Sequence, residues 1–174
     1  MVITDRELWT VIHGMLLGAV FFMAFSGIWV SLWSLHPERT AGVVQRVRGL
    51  KIAGWVTAII LWLTVFTGTY IVYPWYRAKP PEGSDLTQFP RSFLLASPDR
   101  AGWHNFGMEW KEHVAWLAPI LVTAVAYIIS RYGVKLVEEE KIRKAVILVF
   151  TIALIAALAA VVFGAFLNKA APIK

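Results

Sequence analysis

The sequence predicts an all-α membrane protein: a bundle of four transmembrane helices with both termini on the outer side. Three observations predict it. Of 174 residues, 58% are hydrophobic and only 16% charged, against about 25% charged in ordinary soluble domains. The mean hydropathy is +0.62. Four runs are free of charge over about the 20 residues that a helix needs to cross a bilayer. A soluble domain of this size would leave too much apolar surface in water. Soluble enzymes and nucleic-acid-binding proteins are excluded, although the sequence pI is near 9.8.

The first run, 8–35, is interrupted only by the polar His13. Asp5 and Glu7 precede it where a signal peptide would carry bases, and no small-residue cleavage pattern follows, so it reads as a retained helix. The second, 52–76, carries Trp55, Trp62, Tyr70, Tyr73 and Trp75, with aromatics near both ends as in interfacial belts. The third is shorter, uncharged over 114–130 with a helix expected from about 109. Its Pro119 is tolerable in lipid, where neighbouring groups re-satisfy the freed backbone. The fourth, 145–168, is rich in Ala and Val and ends at Lys169. Glu138, Glu139 and Glu140 suit the solvated start of that helix.

The whole chain, 1–174, reads as a single transmembrane domain, with a long outer loop over about 77–107. The segment from Lys79 through Pro80, Pro81 and Glu82 to Gly83 cannot continue a helix and predicts a turn. Phe89, Phe93, Leu94 and Leu95 are apolar enough to dock the rest of the loop.

Orientation follows from the bases. Arg39, Arg46, Arg48 and Lys51 lie between the first two spans, and Arg131, Lys135, Lys141, Arg143 and Lys144 between the last two. Nine of the 17 Lys and Arg residues thus sit in two short loops, which the positive-inside rule places in the cytoplasm. The expectation is a multi-pass protein of the inner (plasma) membrane.

There is no cysteine. Disulfides, thiolate-held clusters, cysteine zinc sites and covalently attached c-type haem are therefore excluded. A metal or haem would need histidine, and there are four: His13, His36, His104 and His113.

Polar groups within spans are costly and mark functional sites. His13 lies about a turn and a half below the outer surface, and His113 about one turn into the third span. Two imidazoles at similar depth on separate helices suit the axial positions of one b-type haem. Interhelical hydrogen bonding is the alternative, and another metal a third. Gly14 and Gly18 give clearance for a flat macrocycle, and their spacing is equally a helix-packing GxxxG. Thr64, Thr67, Gly68 and Tyr70 put small and polar groups at the outer end of the second span. Arg77, Lys79 and Lys111 suit either haem propionates or interfacial anchoring. His36, at the opposite end, reads as interfacial. His104, near Glu109 and Glu112, reads as a surface-loop residue, a proton relay at a quinol site, or the outer ligand in place of His113.

Four helices with His13 and His113 near one face resemble small membrane cytochrome b subunits, the b561-like and related quinone-linked anchors. The resemblance implies one haem b, with a quinone as a further cofactor. It implies electron transfer between quinol or a membrane partner and an outer-side redox protein such as a cytochrome, inside a respiratory or photosynthetic complex. Many such subunits carry four histidines for two haems, and this chain departs from that pattern. The competing expectation is a haem-free structural or assembly subunit. A transporter is disfavoured because the spans hold no chain of carboxylates.

Overall fold

The computed structural model describes residues 3–35 and 42–172, so His36 and Arg39 lie outside the described residues. The described chain is helical, without strands. Four helices are long and apolar enough to cross a membrane. They are α1 (Asp5–Trp33), α2 (Val43–Tyr76), α4 (Pro98–Val137) and α5 (Glu140–Ala170), with a short α3 (Pro90–Leu95) in the long connection.

Each start has a local cause. Thr4 caps α1 by accepting from the Glu7 backbone N–H at 3.2 Å, while the Glu7 carboxylate accepts from the Thr4 N–H at 2.8 Å. This reciprocal pair satisfies two of the free N–H groups at a helix start. Gly42, at φ +72°, turns the chain into α2 in a left-handed conformation that costs glycine little. Residues 43–51, charged and outside the uncharged run, are therefore already helical. The third spanning helix likewise begins before its uncharged run. Ser97 precedes it and Pro98 occupies its first turn, where a missing N–H costs nothing. The expected loop thus ends near residue 97, and residues 98–107 belong to α4.

Around this frame, α2 packs against α1 and α4, and α5 packs against α4 and α1. The helices form a ring in which α1 and α4 stand on one diagonal. Indole N–H groups bridge neighbours: Trp29 donates to Thr151 at 3.2 Å, Trp55 to Ser130 at 3.0 Å and Trp62 to Thr123 at 3.1 Å. Such bonds matter in lipid, where apolar surface gains little from leaving the solvent.

The core is not uniform along the bundle. Towards the two short connections it is dense: Leu32, Leu35, Val125, Ile129, Leu136 and Phe150 are fully buried. Phe25 and Phe150 stack there at 4.4 Å, and the buried Arg143 donates to the carbonyls of Leu136 and Val137, each at 2.8 Å. At the long-connection end a second cluster joins Tyr76, Leu94, Leu167 and Ala171, with Phe93 and Trp103 against it. Between the two clusters lies a different layer. No residue of 8–17, 62–75, 108–117 or 158–166 is buried. Aromatic side chains still join these stretches, Trp62 and Phe66 to Trp116 and Trp110 to Phe163.

Candidate functional site

This layer contains His13, Thr67, Lys111 and His113. His13 enters it from α1, within a π-helical turn at Ile12–Leu16. Two further π-helical turns, Gly68–Val72 and Trp103–Met108, flank the same end of the bundle. A π turn adds a residue to the helical repeat and rotates the side chains around it, and such turns are frequent at functional sites.

The surroundings of His13 fix its chemistry. Its Nδ1 lies 3.3 Å from Thr67 Oγ1. The Thr67 hydroxyl proton is already committed to backbone carbonyls, Leu63 at 2.8 Å and Thr64 at 3.1 Å. Thr67 therefore accepts from His13, and the network assigns the proton to Nδ1. Nε2 keeps its lone pair. The imidazole also lies over Gly68: a Cβ there would come within 2.6 Å of Cε1. Thr67 and Gly68 together set the ring's direction, as supporting groups do for metal-binding histidines.

Lys111 reaches the layer from α4. Its Nζ would lie 2.9 Å from a Cβ at Gly164, so the missing side chain on α5 is what admits it. It is also the charged side chain whose field reaches His13. His113 follows two residues later, about 200° further round the helix. It is exposed, and its Nδ1 donates to the Glu109 carbonyl of its own helix at 2.7 Å. The hydrogen bonds of His13 and His113 therefore do not join the two histidines, although the helices bring both to this end.

His104 is deeply buried, at 4% exposure, where the surface-loop reading expected solvent. The reason is the early start of α4, which turns Trp103–Met108 into a π-helical segment packed on the bundle. Arg91 Nε donates to His104 Nε2 at 3.3 Å, so Nδ1 carries the proton towards the Tyr76 hydroxyl at 2.9 Å. Glu109 stands 3.8 Å from the same Nε2. Beside this group Arg77 donates to the Tyr73 hydroxyl at 2.8 Å. Close by, Glu112 Oε1 is buried and without a hydrogen-bond partner. Sequence reasoning missed Tyr76 and Arg91, because only the folded connection brings them to His104.

The remaining candidates are peripheral. A Cβ at Gly14 or at Gly18 would meet nothing within 4 Å, so neither mediates a close helix approach within the chain. The two-glycine spacing is thus not used here as a packing motif. Tyr70 is 69% exposed and packs on Phe66 at 6.1 Å. Arg77 and Lys79 are exposed at the long-connection end.

The donor set suits a haem better than a bare ion. Among the described residues no three His, Asp or Glu side chains cluster to hold a metal. A haem needs axial nitrogens, and the oriented imidazole of His13 is of the type that supplies one. No family model matches the chain, and no curated protein or solved structure is detectably similar to it.

Proposed function

We propose that the chain is a haem b-binding electron-transfer subunit of a larger membrane redox complex. One observation carries the reading: Thr67 and Gly68 fix the ring of His13 in a layer where no residue of the four helical stretches is fully buried. When bound, haem b supplies a one-electron iron couple. His13 would provide one axial nitrogen, and its hydrogen bond to Thr67 holds the ring in one orientation. The dense half of the bundle keeps water away on one side. The ordered connection, with Leu94 buried against Leu167 and Ala171, closes the other and presents a surface for a redox partner. Arg77 and Lys79 supply cations at that end for the propionates. With the short basic loops in the cytoplasm, this site lies in the outer leaflet, between quinol at the membrane edge and an outer-side cytochrome.

The test is optical. Protein purified from haem-sufficient cells is expected to hold one haem b per chain by pyridine haemochrome. Its dithionite-reduced minus oxidised spectrum should carry a sharp low-spin α band. His13→Ala should lose that band. Protein that never carries haem would reject the reading in favour of a structural or assembly subunit.

A further inference from the structure

We propose that Arg91, His104 and Tyr76 form an acid-released latch, which ties the long connection to the bundle while His104 is neutral and frees it when a proton binds. The bonds carry the argument. His104 is 4% exposed, and both its ring nitrogens are engaged: Nδ1 with the Tyr76 hydroxyl of α2 at 2.9 Å, Nε2 with Arg91 Nε of α3 at 3.3 Å. One ring of α4 thus joins three elements. A guanidinium only donates, so Nε2 must accept, and an imidazole that accepts is neutral. An imidazolium carries a proton on both nitrogens and accepts from no donor. Protonation therefore breaks the bond to Arg91 and leaves two cations side by side.

A second partner for that proton is already in place. Glu109 Oε1 lies 3.8 Å from the same Nε2. The two residues are five apart across the π-helical turn Trp103–Met108, the spacing that a π turn brings into register. The Glu109 side chain is 42% exposed and gives the buried ring a route to water. The other charges around the ring divide evenly. Arg91 from α3 and Arg77 from α2 oppose the proton, whereas Glu109 and Glu112 from α4 favour it. Tyr73 of α2 stacks on Tyr76, and α5 meets this cluster through Leu167 and Ala171. Arg91 makes no ion pair among the described residues. Once released, α3 is left with apolar contacts, chiefly those of the buried Pro90 and Leu94. The device is independent of the haem.

The chain has no cysteine, so Leu95→Cys, at an exposed position of α3, accepts a single nitroxide label on the full-length protein. Electron paramagnetic resonance in detergent reads the label's mobility at about pH 8 and about pH 5.5, on either side of the ordinary imidazole range. The label should be held at the higher pH and become mobile, reversibly, at the lower. Adding His104→Gln should abolish that change, and Arg91→Met should leave the label mobile at both values. Glu109→Gln should move the midpoint to lower pH, because the bound proton loses its carboxylate partner. Arg91 is only half buried, so its variant carries the test if His104→Gln does not fold. A label whose mobility ignores pH with the latch intact, a change that survives His104→Gln, a held label in Arg91→Met at the higher pH, or an unmoved midpoint in Glu109→Gln would overturn the proposal.

Discussion

The two halves of the bundle are built on different terms. Near the short connections, side chains from all four spanning helices close completely on one another, and Arg143 ties the end of α4 to α5 through two carbonyls. Near the long connection, four consecutive helical stretches hold no buried residue at all, and the three π-helical turns gather there. Lipid chains are as apolar as leucine, so cohesion between membrane helices comes from close packing and hydrogen bonds. The dense half has that cohesion by itself. The other half is joined by aromatic contacts such as Trp62–Trp116 and Trp110–Phe163 and by His13 and Lys111 seated on Gly68 and Gly164. A bundle divided in this way carries most of its fully buried side chains at one end.

Substitutions in the two halves should therefore differ in size and kind. The largest effect belongs to the dense half. Phe150→Ala removes a fully buried ring stacked on Phe25 at 4.4 Å and should cost about 3–5 kcal/mol, read from unfolding by denaturing detergent. Arg143→Met deletes two hydrogen bonds of 2.8 Å to the carbonyls of Leu136 and Val137. A loss of about 2–3 kcal/mol is expected, and a change below about 0.5 kcal/mol would show that the clamp is not needed.

In the other half, Gly68→Ala puts a Cβ 2.6 Å from the His13 ring. Displacing that ring should cost only about 1–2 kcal/mol yet abolish the haem spectrum. An unchanged spectrum would mean that the seat on Gly68 does not orient His13. Gly14→Ala is the smallest change. Nothing lies within 4 Å of the added methyl, so stability should stay the same or rise by up to about 1 kcal/mol from helix propensity, with haem content unaltered.

The four spans were legible because charge is so costly in lipid that its absence over a helix-length run has one main explanation. Their ends were less so. Arg46, Arg48 and Lys51 read as loop, yet α2 begins at Val43, since basic residues suit a helix whose first turns lie outside the apolar region. The site was legible only in part. His13 stands out as the one polar interruption of its run. The direction of Lys111 does not, because it depends on helix phase downstream of the π turn at Trp103–Met108 and on a missing side chain at Gly164, a span away. A lysine near a membrane surface reads as an anchor until the helix is rotated into place. His104 misled for the same reason. Its burial is made by Tyr76, Arg91 and Leu94, which no local pattern brings together.

The central claim is that the layer without fully buried residues is a seat for a cofactor. Amide hydrogen exchange, compared between haem-loaded and haem-stripped protein, tests it most directly. Haem should slow exchange chiefly in residues 8–17, 62–75, 108–117 and 158–166, the four stretches without a buried residue, and leave the dense half around Phe150 unchanged. Protection spread evenly over the bundle, or no change in those four stretches, would contradict the account.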